Sequence, residues 1–393
     1  MVTNFSMISF NNTENAFKAK TNSGLVQSYW IFKIISNPLM VKLGAKFGPL
    51  ALSIGFKKLI KKTIFKQFVG GENIHDCELT IAQLAKYNIG TILDYSVEGK
   101  ENEKDFDHCL KETLETIQKA KKNKNIPFCV FKITGIARFE ILEKVSSKIP
   151  LSTDEENEWQ RVKNRVNKIC LSALENNQAI FIDAEESWIQ NAIDYLANTN
   201  MLICNKSKTI IYNTFQLYHT EKLNHLIESL NKAKTNGYHL GAKLVRGAYM
   251  EKERARALEM NYQSPIHKNK QECDKDFDEA INLSINNIDY MAICAGTHNE
   301  NSSTLLINLM QQKNISPSDK RVYFSQLLGM SDHISYNLSL NGYNVAKYVP
   351  YGPVKEVLPY LIRRAQENTS VKGQTGRELN LIIKEKERRS NLK

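Results

Sequence analysis

The chain has 393 residues, 42% hydrophobic and 24% charged, so it is long enough for a full core and has the composition of a globular protein. Seven cysteines without a CxxC pair and eight dispersed histidines without HExxH argue against a structural zinc or a zincin site and suit a reduced compartment. The net charge of +11 suits an anionic partner, yet no nucleic-acid motif accompanies it, and no Walker loop or GxGxxG opens a helix.

The first residues, "MVTNFSMISFNNTENAFKAK", contain no apolar core followed by a small-residue cleavage site, so no secretory signal is expected. Residues 29–69 are apolar but interrupted by Lys33, Lys42, Lys46, Lys57 and Lys58 and by Pro38 and Pro49. No run reaches the roughly 20 residues that a spanning helix needs. Phe56, Leu59, Ile60, Ile64 and Phe68 against Lys57, Lys58, Lys61, Lys62 and Lys66 predict an amphipathic basic helix. Such a helix either packs on a core with its lysines in water or lies on an anionic bilayer. "GGEN" at 70–73 is the best boundary. It divides an N-terminal helical region, 1–73, from one larger domain, 74–393.

From residue 90 onward short β-rich runs recur: "TILDYSV" (91–97), "FCVFKIT" (128–134), "AIFIDA" (179–184), "TIIYNTF" (209–215), "AKLVRG" (242–247), "YMAICAG" (290–296), "RVYFSQ" (321–326) and "VAKYV" (345–349). Helical patterns separate most of them. The clearest covers 154–175, with Trp159, Val162, Val166, Ile169 and Ala173 on one face and Ser152 with Glu155 as a capping box. Eight strands alternating with helices over about 280 residues predict an α/β fold of the (β/α)8 barrel kind. A doubly wound open sheet is the alternative, but it usually has fewer strands.

In such a barrel, chemistry gathers at the C-terminal ends of the strands. Those ends are polar here. Lys132 lies in strand two, Asp183 follows strand three, and Gln216 closes strand four. Strand five brings Lys243 and Arg246, strand six ends in Thr297, His298 and Asn299, and strand eight holds Tyr348. Beyond strand eight, Tyr360, Arg363, Arg364 and Glu367 fall at i, i+3, i+4 and i+7, opposite Leu358, Leu361, Ile362 and Ala365. Two readings fit that stripe: a solvated helix face, or a clamp in which paired guanidinium forks grip a carboxylate or phosphate. Lys132, Arg363 and Arg364 against Asp183 and Glu367 would make a cationic pocket for a small anion.

The stretches "FIDAEES", "KLVRGAYMEKERARA", "CAGTHNEN", "QLLGMSDH" and "YVPYGPVKEVLPYLIRRAQENTSV" together resemble the proline dehydrogenases, over roughly residues 75–375. The resemblance implies a distorted (β/α)8 TIM-type barrel with an N-terminal helical extension and a final helix over the barrel mouth. It implies a monofunctional FAD enzyme that oxidises L-proline to Δ1-pyrroline-5-carboxylate and passes electrons to a membrane quinone. A cytoplasmic location with peripheral contact at the inner membrane is expected, with pyrroline-5-carboxylate dehydrogenase as the downstream enzyme.

Carried over residue by residue, Arg363 and Arg364 match the pair that binds the proline carboxylate, with Lys132 as a third cation. Tyr348 matches the aromatic against the pyrrolidine ring, and Leu327 an apolar wall. Asp183 matches the active-site aspartate, and Lys243 is a cation that favours the electron-rich reduced flavin. Ala184, Gln216, Lys243, Arg246, Gly247, Ala248, Tyr249, Thr297 and His298 match flavin contacts, and Glu367 a carboxylate near the FAD ribose. Lys243 stands where one bacterial branch has arginine, and Met250 where Trp or Leu is frequent. The alternatives are a 4-hydroxyproline dehydrogenase, another FAD-dependent barrel such as a methylenetetrahydrofolate reductase-like protein, and a basic binding protein on a degenerate barrel. The bulk of Tyr348, near where a 4-hydroxyl would project in this family, favours proline.

Overall fold

The computed structural model describes residues 8–53, 57–96, 99–370 and 374–392. The side chains of 45, 48–53, 366–370 and 374–375 also lie outside the described set. Helices come first: α1 (Thr13–Ala16), α2 (Asn22–Ile35), α3 (Pro38–Ser53), α4 (Lys57–Ile60), α5 (Lys66–Phe68) and α6 (Glu78–Ala85). Strands and helices then alternate through β1 (Ile89–Tyr95), α7 (Glu103–Lys121), β2 (Phe128–Phe131), α8 (Phe139–Ser146), α9 (Thr153–Glu175), β3 (Ala179–Ile182), α10 (Ser187–Cys204) and β4 (Ile211–Gln216). The series continues with α11 (Lys222–Asn236), β5 (Leu240–Val245), α12 (Met250–Glu259), α13 (Lys270–Asn286), β6 (Met291–Gly296), α14 (Glu300–Gln312), β7 (Val322–Leu327), α15 (Asp332–Leu340) and β8 (Val345–Tyr351). Two helices close the chain, α16 (Val354–Ser370) and α17 (Gln374–Ser390).

The eight strands form a closed barrel in sequence order, the arrangement that the alternating pattern predicts. The chain divides into two compact units, Ile92–Ser325 and Met1–Thr91 with Gln326–Lys393. In the first, register fixes which side chains point inward. Phe128 of β2 meets Phe181 of β3 at 4.4 Å and Tyr323 of β7 at 4.8 Å, and Phe181 meets Tyr212 of β4 at 5.5 Å. Rings from strands as far apart as β2 and β7 meet only across the barrel interior. Side chains alternate along a strand, so residues an even step from these rings share the inward face. The helix α9 carries the capping box: Ser152 accepts the Glu155 N–H, and the Glu155 carboxylate accepts the Ser152 N–H at 2.9 Å.

In the second unit, Phe17, Leu25, Phe32, Ile35, Phe65, Phe68, Val354, Val357, Leu361, Leu381 and Ile382 form one buried cluster. Burial of each such side chain contributes about 1.5–3 kcal/mol. The basic stretch departs from the straight amphipathic helix that its spacing predicts. Lys61–Phe65 is a π-helical turn between α4 and α5. The wider turn rotates the buried face, so Phe65 joins the core at 3% exposure while Leu59 stands 56% exposed. Phe56 lies outside the described residues.

Helix α16 buries Leu361 and Ala365 as its spacing predicts, but its buried stripe takes in Tyr360 as well. Val354, Val357, Tyr360 and Leu361 are buried, whereas Leu358 and Ile362 are half-buried. Tyr360 therefore packs into the core instead of sharing an open face with the arginines. One further helix, α17, follows the arginine helix.

Candidate active site

The site in the 92–325 unit is built on the strand ends. Lys132 lies one residue past β2 rather than inside it; its extended backbone leads into a single 3-10 turn, Ile133–Gly135. Counting in steps of two from Phe128, Lys132 points inward. Asp183 lies two residues beyond Phe181, and Lys243 is the β5 partner of Thr214, two residues beyond Tyr212. Three strands thus deliver one carboxylate and two ammoniums to the same interior face.

They meet there. Lys243 Nζ pairs with Asp183 Oδ1, and Lys132 Nζ lies 3.6 Å from Asp183 Oδ2. Lys132 Nζ also donates to the Tyr249 hydroxyl at 3.4 Å. Lys243 Nζ stands 5.3 Å from the centre of the Phe181 ring. Asp183 and Lys243 are buried, at 7% and 6% exposure. Among Lys132, Lys243 and Asp183 one carboxylate is shared by two ammoniums, which gives Lys132 and Lys243 scope to attract an anionic ligand.

A second group of donors lies on β4, β5 and β6. Gln216, the last residue of β4, is fixed by its own amide: Nε2 donates to the Glu185 carbonyl at 2.7 Å, and Oε1 accepts the Ala248 N–H at 3.4 Å. Arg246 and Gly247 lie just past the end of β5 rather than inside it. The Arg246 fork donates from Nε to Asp274 at 2.7 Å, to Thr297 Oγ1 at 2.8 Å and to Ser302 Oγ at 3.0 Å. It also stacks on Phe277 at 4.4 Å. Gly247 has φ +141°, and a Cβ there would fall 2.4 Å from the Tyr218 ring, so the turn requires glycine. Ala184 and Tyr249 are buried, and Thr297 and His298 follow β6 directly. Met250 packs against the Tyr218, Ile266 and Cys273 cluster.

The remaining expected residues belong to the other unit. Leu327 ends β7 and Tyr348 lies within β8, 9% exposed. The Leu328 N–H donates to the Tyr348 carbonyl at 2.9 Å, which ties the end of β7 to β8. Arg363 and Arg364 are half-buried on α16, and the Arg364 guanidinium lies 5.2 Å from the Tyr360 ring centre. The Glu367 side chain lies outside the described residues.

Residues 77–377 match the family model described as proline dehydrogenase. The chain belongs to the proline dehydrogenase family. Among its relatives, "Proline dehydrogenase 1, mitochondrial" of Dictyostelium discoideum is 32% identical, over 96% of this chain and 74% of its own length. "Hydroxyproline dehydrogenase" of Xenopus laevis is 28% identical, over 95% of this chain and 88% of its own. A solved structure, proline utilization A from Bdellovibrio bacteriovorus inactivated by N-propargylglycine, shares the fold with a TM-score of 0.73 at 18% identity. That match takes in 94% of this chain and 40% of the neighbour's length.

Two acids in the 92–325 unit have no counterpart among the residues expected from sequence. Glu185 is fixed by the Thr134 N–H at 3.0 Å and the Thr134 hydroxyl at 2.5 Å. Burial pushes its carboxyl up to about 7, against the pull of Lys132. Asp94 is the inward-facing acid of β1, and burial pushes its carboxyl up to about 6 against the same lysine. Even spacing in "ILDYS" places Asp94 on one face with Ile92 and Ser96, but only the register shows that this face is the inward one.

Proposed function

We propose that the chain is an FAD-dependent enzyme that oxidises L-proline to Δ1-pyrroline-5-carboxylate in proline catabolism. The observation that carries the reading is the Lys132–Asp183–Lys243 cluster on inward strand ends, in a member of this family. The donor set on β4, β5 and β6 fits the cofactor: a guanidinium, an ammonium, a hydroxyl, an imidazole and an oriented amide suit a pyrophosphate and a polar ring edge. Gln216, Lys243, Arg246, Gly247, Ala248, Tyr249, Thr297 and His298 would hold it, beside Ala184, with Glu367 at the ribose. FAD, when bound, supplies a two-electron acceptor for the hydride of the substrate.

The residues of the chain bind and orient. Lys132, Arg363 and Arg364 take the substrate carboxylate, which fixes the ring in one pose. Tyr348 and Leu327 form its apolar walls. Asp183 holds Lys132 and Lys243 in place and offsets part of their charge, and Lys243 favours an electron-rich ring beside it. The nitrogen of the substrate must be neutral when the hydride leaves, so turnover falls at low pH.

Electrons pass to a membrane quinone in this reading, and pyrroline-5-carboxylate dehydrogenase consumes the product. Among the described residues, no helix is long and apolar enough to cross a membrane. Peripheral contact with the inner membrane fits the N-terminal helices: residues 15–71 contain ten lysines and no Asp or Glu. Val26, Trp30 and Ile34 on α2, Leu39, Met40, Leu43 and Phe47 on α3, and Leu59 on α4 are each more than 40% exposed. Exposed apolar rows among lysines suit the headgroup region of an anionic bilayer.

A second substrate, 4-hydroxyproline, is favoured by the Xenopus relative. Steady-state turnover of both amino acids with a soluble quinone tests the choice. We expect proline to have the higher kcat/KM, and Tyr348→Ser to narrow the gap by weakening proline binding. Equal turnover of both by the wild type contradicts the role given to Tyr348. Flavin bands in the purified protein, released on denaturation, are expected; a protein that neither contains nor takes up FAD contradicts the cofactor assignment.

A further inference from the structure

Strand β1 brings to the barrel interior an acid for which the reading above has no use. Ile92 pairs with Phe128 and Asp94 with Val130, so Asp94 shares the inward face with the Phe128 ring and with Lys132. Asp94 is 2% exposed. Ser96 Oγ donates to its Oδ2 at 2.5 Å, whereas Oδ1 has no hydrogen-bond partner among the described residues. Leaving a buried acceptor open costs on the order of 1–3 kcal/mol, and more when it is charged. A donor from outside the protein removes that cost.

The charged groups that face Asp94 in this unit are Lys132, Asp183 and Lys243. Both oxygens of Asp183 are turned to lysines, Oδ1 to Lys243 and Oδ2 to Lys132. An α-amino acid carries its nitrogen on the carbon next to its carboxylate. A substrate whose carboxylate is drawn to Lys132 therefore brings its N–H groups into the same cluster, where an acceptor is needed.

We propose that Asp94 Oδ1 accepts the ring N–H of the substrate, which makes Asp94 a substrate-binding residue of this site. The assignment rests on the amino-acid reading above. It separates substrates by chemical class: a cyclic secondary amine with an adjacent carboxylate engages Asp94, and a carboxylate without N–H does not. No bond is made or broken. Burial pushes the carboxyl up to about 6, so at pH 8 it is anionic and accepts.

The test uses the full-length, FAD-loaded protein as wild type and as Asp94→Asn at pH 8. Two quantities are compared: kcat/KM for L-proline, and the Kd of L-tetrahydro-2-furoic acid, which has a ring oxygen in place of the N–H, followed by flavin difference spectra. Loss of one charge-assisted contact lowers kcat/KM on the order of 10- to 100-fold, with furoate Kd and flavin content unchanged. Equal weakening of both ligands, or no change in either, overturns the assignment. A wild type that L-proline does not reduce contradicts the function itself, and the inference with it. Should Asp94→Asn fail to fold, Ser96→Ala keeps the acid and removes the bond that favours its anion. The low-pH limb of proline kcat/KM then moves to higher pH with furoate binding at pH 8 unchanged; an unmoved limb overturns the assignment.

Discussion

Each of the two units buries a lysine–aspartate pair, and the two pairs are built for different ends. In the unit of 1–91 and 326–393, Lys347 of β8 is fully buried and lies 2.9 Å from Asp332 Oδ1. Its ammonium also donates to the Met330 carbonyl and, at 3.4 Å, to that of Leu327. The Ser331 N–H in the same loop donates to Glu378 of α17. This pair is spent on backbone, and it fixes the loop between β7 and α15. In the 92–325 unit, Lys243 and Lys132 share Asp183 at the strand ends, and Asp94 beside them keeps an open oxygen. A pair whose bonds end on main-chain carbonyls serves the fold. A cluster at the strand ends that keeps an open acceptor is the one to which the proposed function assigns a ligand.

The largest effect is expected where the closed pair is broken. Lys347→Met leaves Asp332 buried without its main partner, and loss of one member of such a pair costs about 3–5 kcal/mol. Urea denaturation should show that loss, with much of it recovered in Lys347→Met/Asp332→Leu. An unchanged urea midpoint in the single variant would remove the structural role of the pair. The pair also responds to acid. Burial raises the Asp332 carboxyl, but Lys347 and Lys20 outweigh it and hold the group below its ordinary value. Its stability contribution is thus present above the ordinary carboxyl range and lost as pH falls below it.

Glu185 gives the opposite sign in the other unit. Its folded-state carboxyl, near 7, keeps a proton that the unfolded chain loses near 4.5. That contribution is complete below the ordinary value and lost as pH rises through 7, a change of about 3 kcal/mol. Glu185→Gln should therefore raise Tm at pH 8 and leave it nearly unchanged at pH 5. A rise of equal size at both pH values would contradict the assignment.

In the proposed function Arg363 and Arg364 bind the substrate, so their loss should act on binding more than on stability. Arg363→Met or Arg364→Met should raise KM for proline on the order of 10- to 100-fold, one charge-assisted contact being worth roughly 1.5–3 kcal/mol. Flavin content should stay the same, and lysine at either position should rescue only in part. A KM equal to wild type in both variants would return these arginines to the status of a solvated face. The smallest effects belong to the N-terminal surface. Lys42→Gln and Lys46→Gln should each weaken sedimentation with anionic vesicles by about 1 kcal/mol and by less at high salt. Binding that ignores both substitutions would exclude α3 as the contact.

The barrel was legible because eight short β-rich runs recur from residue 90 onward and helical patterns separate most of them. Boundaries moved by a few residues, which put Lys132, Arg246 and Gly247 just past their strands. Lys132, Asp183 and Lys243, which meet in the barrel, were legible as polar residues at the ends of three strands. Asp94 was not, since a lone acid in "TILDYSV" reads as outward until register is known. Nor was the π turn at Lys61–Phe65, which no periodicity of 3.6 anticipates, nor the grip of Glu378 on Ser331, which depends on tertiary packing 47 residues away.

Anaerobic titration of the purified, FAD-loaded chain with L-proline tests the central claim most directly. The account predicts that the flavin absorbance near 450 nm bleaches with L-proline, that pyrrolidine at the same concentration leaves it unchanged, and that a quinone restores it. Flavin bands that persist in saturating L-proline while another reductant, such as NADH, bleaches them would contradict it.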